Sequence, residues 1–183
     1  MIYTEITADN KNAVARLSAL ASAIVKEYFD PIIGPAQNDH MIAKFQTAEA
    51  IAEQLGHGYQ YYFVNDSQDK TAGFLAFYRR NNAMYLSKFY LLKEQRGKGI
   101  AKDMLQFVIS ETKKAGLFTI ELNVNKNNPA LYAYEKMGFV KLREETIDIG
   151  DGFVMDDFVY QYRIDWRSPT VKALQEYFSP STS

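Results

Sequence analysis

The chain of 183 residues is long enough for one domain with a sizeable core, and its 47% hydrophobic and 23% charged residues are typical of a globular protein. The formal net charge is −1 and no basic tract exceeds two adjacent residues, which disfavours non-specific binding of nucleic acid. The absence of cysteine excludes disulfides, thiolate metal sites and a cysteine nucleophile.

The beginning of the chain lacks a basic region followed by an apolar core, and no apolar run approaches ~20 residues. We therefore expect neither a secretory signal nor a membrane span, and we expect a cytoplasmic protein. Residues 1–7 alternate as a first strand, and apolar residues from 13 to 28 recur at helical spacing in a helix that ends before Pro31. After a loop, a second helical region is predicted from about Asp39 to Leu55, broken near Thr47.

The rest of the chain is predicted to alternate between strands and two helices, at about 100–115 and 130–137. The further strands are predicted at 60–64, 73–78, 84–92, 118–124, 139–149 and 153–164. This order predicts a single α+β domain over residues 1–165, with a mixed, mostly antiparallel sheet of about seven strands and about four helices. Residues 166–183 are predicted to form an extension with a short helix and a frayed end.

A glycine-rich stretch, Gln95-Arg96-Gly97-Lys98-Gly99-Ile100-Ala101-Lys102, joins the strand at 84–92 to the helix at 100–115. A helix start leaves backbone N–H groups unpaired and carries the positive end of the helix dipole, and glycine lets a ligand approach the main chain. Phosphate is therefore the expected ligand. The stretch matches neither the Walker loop nor the dinucleotide fingerprint, so a nucleotide-binding protein is disfavoured.

Two motifs carry a resemblance to a known family. Arg96-x-x-Gly99-x-Ala101 resembles the coenzyme A pyrophosphate loop, [QR]-x-x-G-x-[GA], of the GNAT N-acetyltransferase superfamily. The stretch Asn127 to Phe139 resembles the second signature of the same superfamily, N-x-x-A-x-x-x-Y-E-K-x-G-F. With the strand order, the resemblance covers roughly residues 1–164. Met155-Asp156-Asp157-Phe158 is similar to the end of a strand in a bacterial subgroup of that family.

The resemblance implies acetyl-CoA as co-substrate and a set of binding residues. The strand segment Phe89, Tyr90 and Leu91 would pair with the pantetheine amides, and Asn127 would contact the pantetheine arm. The interval to Tyr134 is one residue shorter than in many relatives, so Asn128 could hold that role instead. The pyrophosphate would be bound by Arg96, Gly97, Lys98, Gly99, Ile100, Ala101 and Lys102.

The resemblance also implies that Tyr134 is the general acid for the leaving thiolate. The alternatives are that Tyr134 is a packed helical tyrosine and that Arg96, Lys98 and Lys102 are solvated side chains. The two histidines lie outside both motifs, and no Ser/His/Asp triad or metal-ligand spacing can be built from them, so no metal is expected.

Acyl transfer without a cysteine nucleophile favours direct attack of the amine in a ternary complex. Strand alternation places Glu121, Asn123 and Asn125 on one face, so Glu121 is a candidate general base, although a solvated glutamate is equally expected. We therefore predict an N-acetyltransferase acting on a primary amine of a small molecule, polyamine or amino-acid-like, or of a peptide. The alternative is a non-catalytic acyl-CoA-binding module. A homodimer is one expected assembly.

The acceptor side is less defined. Six carboxylates and no Lys or Arg lie between Glu144 and Asp157, an acidic stretch that could attract a cationic amine or simply be a solvated hairpin. Asp156-Asp157 interrupts an apolar strand, and a buried carboxylate needs donors or a cation. We predict that Asp156 or Asp157 orders the site or binds the substrate amine. A structural salt bridge with Lys88 or Arg163 is the alternative.

Overall fold

The computed structural model describes residues 1–165. The predicted extension after residue 165 lies outside these described residues. The strands are β1 (Ile2–Ile6), β2 (Gln60–Asn65), β3 (Thr71–Arg80), β4 (Ala83–Leu91), β5 (Thr119–Asn125), β6 (Val140–Gly150) and β7 (Phe153–Arg163). The α-helices are α1 (Lys11–Ile33), α2 (Pro35–Phe45), α3 (Ala48–Gly56), α4 (Ile100–Lys114) and α5 (Leu131–Lys136).

The α+β class is confirmed, with a seven-stranded sheet in the order β1-β2-β3-β4-β5-β7-β6. There are five α-helices rather than about four, because the second helical region is two helices. Thr47 separates them as predicted, since its hydroxyl oxygen accepts a bond of 3.1 Å from the N–H of Ala50 at the start of α3.

The sheet opens between β4 and β5, which are its parallel neighbours. Their register includes only Met84 with Ile120 and Tyr85 with Glu121, whereas β5 pairs with β7 along its full length. A register shift against β3 adds one residue to β4 beyond this point, which bends the strand. The C-terminal half of β4 therefore diverges from β5, and its backbone edge on that side has no strand partner within residues 1–165.

Two apolar cores cover the two faces of the sheet. On one face, α4 packs through Met104, Leu105 and Val108, which recur at the helical spacing that the sequence predicts. On the other face, α1 and α3 bury Leu17 and Ile51 against β2 and β3. Because α1 and α3 lie toward the β1–β3 side of the sheet, the opening between β4 and β5 is not filled by either core.

The boundary of α1 corrects the sequence-based prediction. The helix continues past Pro31 to Ile33, because a proline in the last turn removes only the bond to the carbonyl four residues earlier. Gly34 then ends the helix with a φ of 85°, and α2 begins at Pro35, four residues before the predicted start. Proline suits a first helical position, where its N–H would be unpaired in any case.

Two adjacent side chains in the first turn of α2 join this helix to its neighbours. The buried amide of Asn38 donates to the carbonyl of Val25 on α1 at 3.1 Å. On the opposite side, the amide of Gln37 donates to the carbonyl of Val154 at 2.7 Å, which joins α2 to the β6–β7 hairpin. The helix therefore lies over the opening in the sheet. No helix within residues 1–165 is long and apolar enough to cross a membrane.

Candidate active site

A cavity of about 540 Å³, here called the loop cavity, lies between the glycine loop, the end of β4 and α5. The predicted binding residues that line it are Phe89, Tyr90, Leu91, Arg96, Gly97, Gly99, Ile100, Ala101 and Lys102. Lys98 does not line it, because its ammonium donates to the Oε1 atom of Gln95 at 3.3 Å on the exposed side of the loop.

The glycine loop presents bare backbone to the loop cavity. Gly97 and Gly99 have φ values of 75° and 81°, a left-handed conformation that favours glycine. A Cβ atom at either position would meet nothing within 4 Å, so both residues face open space. Gly99 is also the N-cap of α4, and no side chain of the described chain caps this 15-residue helix. The loop therefore has the geometry of a diphosphate cradle.

Arg96 positions this loop through its side chain. Its Nε atom donates to the carbonyl of Leu91 at 3.1 Å, and its guanidinium forms an ion pair of 2.6 Å with Glu27 on α1. The same group lies 4.8 Å from the ring centre of Tyr28. The guanidinium is therefore held by α1 and β4, although it stays partly exposed.

A second cavity, of about 370 Å³ and here called the sheet cavity, occupies the opening between β4 and β5. Its walls include Tyr85 and Lys88 of β4, Asn123 of β5 and Asp157 of β7, and its roof includes Phe45 of α2. The residues that line both the sheet cavity and the loop cavity are Phe89, Tyr90, Asn128 and Tyr134. The two cavities therefore meet at these four side chains.

Tyr134 lies at this junction. Its ring packs 6.2 Å from Phe89 and 5.6 Å from Phe139, measured between ring centres, and the side chain stays partly exposed. Burial, followed by the neighbouring Tyr90 and Tyr28 hydroxyls, raises the pKa of Tyr134 above its ordinary value. The phenol is therefore protonated at neutral pH. Its neighbour Tyr132 is 72% exposed and lines neither cavity.

The two asparagines left open by the sequence occupy different environments. Asn128 is buried at the junction, and its Oδ1 atom accepts a bond of 2.8 Å from the hydroxyl of Tyr28. Asn127 is exposed and lines neither cavity. The turn that separates them follows β5 and is closed by a 2.9 Å bond from the N–H of Asn128 to the carbonyl of Asn125.

The two adjacent aspartates lie on opposite faces of β7. Asp157 is 4% exposed, pairs in register with Asn125 and lines the sheet cavity. Asp156 points away from it and forms an ion pair of 2.8 Å with Lys126. This salt bridge uses Lys126 rather than the predicted Lys88 or Arg163, because strand alternation directs Asp156 toward the residue that follows β5.

The electrostatic surroundings of these aspartates also differ. Burial, reinforced by the nearby Glu145 and Asp156 carboxylates, raises the pKa of Asp157 to about 6, although a hydrogen bond with Asn123 opposes the shift. The hydrogen bond from Lys126 instead lowers the pKa of Asp156. Burial raises the pKa of Tyr90, and the Asp157 carboxylate raises it further, so this carboxylate acts on the junction of the two cavities.

Glu121, the predicted base, is engaged elsewhere. Its carboxylate lies 3.3 Å from the guanidinium of Arg80 and accepts a bond of 3.1 Å from the amide of Gln161. It does share a strand face with Asn123 and Asn125, as alternation predicts, but it does not line the sheet cavity. Its carboxylate is therefore held in an ion pair at the edge of the site.

Several carboxylates of the acidic stretch have hydrogen-bond or ion-pair partners. Glu144 contacts Lys126 at 2.9 Å, Glu145 accepts a bond of 2.7 Å from Asn123, and Asp151 lies 3.2 Å from His40. Asp157 remains as a buried carboxylate of this stretch that faces the sheet cavity. The stretch therefore supplies one cavity carboxylate and a paired hairpin.

Sequence reasoning gave Lys88 only a salt-bridge role, whereas the structure places it in the sheet cavity. It is 9% exposed, and burial lowers its pKa to about 8. A single charged residue inside the apolar run from Tyr85 to Leu92 is a signal that could have identified it. Within residues 1–165, no group of three or more His, Asp or Glu side chains is arranged to hold a metal ion.

A family model described as "Acetyltransferase (GNAT) domain" matches residues 29–155. This range includes the glycine-loop motif and the motif at Tyr134, and it ends just before Asp156. No curated protein sequence matches the chain significantly. Solved structures that share the fold are numerous, and at identities below 25% they show the fold alone.

Three of these solved structures cover most of this chain at low sequence identity. The PaiA N-acetyltransferase of Thermoplasma acidophilum, in complex with coenzyme A, has a TM-score of 0.68 at 19% identity, covering 89% of this chain and 99% of that one. A GCN5-related N-acetyltransferase of Rhodopseudomonas palustris has a TM-score of 0.72 at 12% identity, covering 89% and 95%. The spermidine N-acetyltransferase of Vibrio cholerae, in complex with coenzyme A and spermine, has a TM-score of 0.61 at 15% identity, covering 88% and 94%.

Proposed function

This chain belongs to the GNAT acetyltransferase family, and from that premise we propose that it transfers the acetyl group of acetyl-CoA to a primary amine of a small molecule, polyamine or amino-acid-like, or of a peptide. One observation carries the proposal. An anion-binding loop cavity and a sheet cavity with a buried carboxylate meet at Tyr134, so donor and acceptor can reach one point from opposite sides. The spermine-bound fold relative supports an amine as acceptor.

Acetyl-CoA supplies a thioester-activated acetyl group when bound. The backbone N–H groups from Gly97 to Lys102 bind its pyrophosphate, because they lie at a helix start and face open space. The edge of β4 beyond Tyr85 lacks a strand partner within the described residues and can hydrogen-bond the pantetheine amides. We assign the contact with the pantetheine arm to Asn128 rather than Asn127, because Asn128 alone of the two faces the junction.

Asp157 receives the acceptor ammonium and removes one proton from it. We assign this role to Asp157 rather than to Glu121, whose carboxylate is held by Arg80 and Gln161. The free amine then attacks the thioester carbonyl carbon, forming a C–N bond, while N–H groups of β4 stabilise the oxyanion. When the C–S bond breaks, the phenol of Tyr134 donates a proton to the sulfur, and the second amine proton restores the tyrosine.

The test is a release assay for free coenzyme A with acetyl-CoA and a panel of polyamines, amino acids, aminoglycosides and peptides. Release that depends on both an amine and acetyl-CoA supports the proposal. Binding of acetyl-CoA in calorimetry without release to any member of the panel would instead support a non-catalytic acyl-CoA-binding module. A cytoplasmic location, a homodimer and membership of the bacterial Met-Asp-Asp-aromatic subgroup remain predictions beside this proposal.

Tyr134→Phe is expected to lower kcat about 10- to 100-fold, because general acid catalysis contributes about 10²–10⁴-fold and water replaces part of what the lost phenol supplied. The dissociation constant for acetyl-CoA, measured by calorimetry, should change less than about twofold, since the ring stays in place. Tyr132→Phe is the matched control on the same helix, because that side chain is exposed. Equal turnover of Tyr134→Phe and the native chain across pH 6–9 would exclude Tyr134 as the acid.

A further inference from the structure

The proposed mechanism leaves one charged residue of the sheet cavity without a role. Lys88 projects from β4 into this cavity, with 9% of its surface exposed. Within residues 1–165 its ammonium forms neither a hydrogen bond nor an ion pair shorter than 4.0 Å. The contact that the structure does give it is the ring of Phe45, whose centre lies 5.7 Å away.

A buried ammonium without a counter-charge is costly, because it has lost most of its hydration and has gained no charged or hydrogen-bonding partner. The other side chains around it are largely uncharged, and the cavity carboxylate, Asp157, stands on β7 across the opening of the sheet. An anionic group entering the cavity would supply the missing partner, in a charge-assisted hydrogen bond.

We propose that the acceptor is zwitterionic and amino-acid-like, with its amine at Asp157 and a carboxylate or similar anionic group at Lys88. This inference rests on the proposed acetyltransferase function and names its acceptor class. The cavity volume of about 370 Å³ suits a small molecule of this kind. A polyamine is disfavoured, because its second ammonium would enter a buried cavity that already contains the ammonium of Lys88.

The experiment compares matched acceptor pairs that differ only in the anionic group: L-lysine with L-lysinamide, and L-phenylalanine with L-phenylalaninamide, each against cadaverine. We expect kcat/KM of the native chain to be at least about 10-fold higher for the free acid than for its amide. Lys88→Met should lower kcat/KM for the acid about 10- to 100-fold and change that for the amide less than about threefold. Lys70→Met, in an exposed turn, is the matched control.

Two further measurements, of thermal stability and of product binding, test Lys88 without turnover. The thermal midpoint of Lys88→Met should rise above that of the native chain, because methionine fills the same space without a buried charge. Calorimetric titration of the coenzyme A-loaded protein with N-acetyl-L-phenylalanine and its amide then tests Lys88 without catalysis. A preference for the acid that disappears in Lys88→Met supports the proposal.

Three results would overturn the inference. The first is equal use of acid and amide by the native chain, and the second is a preference for cadaverine over both; each leaves the acetyltransferase function standing. The third is equal calorimetric binding of the acetylated acid and its amide. By contrast, absence of coenzyme A release with every amine overturns the proposed function, and the calorimetric comparison still decides whether Lys88 binds a carboxylate.

Discussion

Asp157→Asn is expected to lower kcat/KM at least about 100-fold while making the folded chain more stable at neutral pH. The loss of activity follows because asparagine can neither attract the acceptor ammonium nor accept its proton, and general base catalysis contributes about 10²–10⁴. The gain in stability follows from the burial of this carboxylate, which is 4% exposed. Activity and stability therefore change in opposite directions.

The gain in stability of Asp157→Asn depends on pH, because burial raises the pKa of Asp157 in the native chain. Its ordinary value of 3.8 is raised to about 6 in the folded chain, so between these values the folded state binds more protons than the unfolded state. Stability contributed by the protonated group is complete below about pH 3.8 and is lost as the pH rises through about 6. The asparagine variant avoids this loss, which amounts to roughly 2–3 kcal/mol at pH 7.5.

Urea unfolding at pH 4.5 and pH 7.5 measures this effect. The difference in unfolding free energy between Asp157→Asn and the native chain should be larger at pH 7.5. Asp156→Asn is the comparison variant, because its carboxylate lies outside both cavities and the substitution removes only a solvent-screened ion pair with Lys126. Equal loss of activity in the two variants, or a stability gain that is the same at both pH values, would contradict the assignment.

Gly99→Trp is expected to weaken acetyl-CoA binding at least about 100-fold, as measured by calorimetry. The indole would occupy the open space in front of the loop and exclude the pyrophosphate, because no atom lies within 4 Å of a Cβ at this position. The substitution also forces a non-glycine residue to a φ of 81°, at a cost of about 1–2 kcal/mol in stability.

The other end of α4 offers a matched control for this variant. Gly116 has a φ of 71°, is exposed, and likewise has no atom within 4 Å of a built Cβ. Gly116→Trp therefore introduces the same residue into the same backbone conformation, away from both cavities, and should retain acetyl-CoA binding. Native affinity in Gly99→Trp would refute the loop cavity as the coenzyme site, whereas equal weakening in both variants would indicate a general loss of structure.

The positions of the strands and most helices could be predicted from the sequence, because each depends on a local pattern. Runs of β-favouring residues bounded by turn residues, and the 3.6-residue spacing in α4, place β1 to β7 and α4 within about two residues of their bounds. The prediction failed at Pro31 and Pro35, where the sequence suggested a loop. Proline is compatible with both a helix end and a helix start, and only the packing of α1 and α2 decides between them.

The sequence by itself determined the glycine loop, its helix and the motif at Tyr134, because each lies within a single stretch whose local geometry follows from residue types. The tertiary structure decided which side chains meet across the opening between β4 and β5. That opening forms where a register shift against β3 bends β4 away from β5, while β5 stays paired with β7, and no local pattern encodes these long-range pairings. Alternation along β7 turns Asp157 toward the opening and Asp156 away from it. Arg80 and Gln161 hold Glu121 outside the cavity, and Lys88 lies buried with no charged or hydrogen-bonding partner in the described chain.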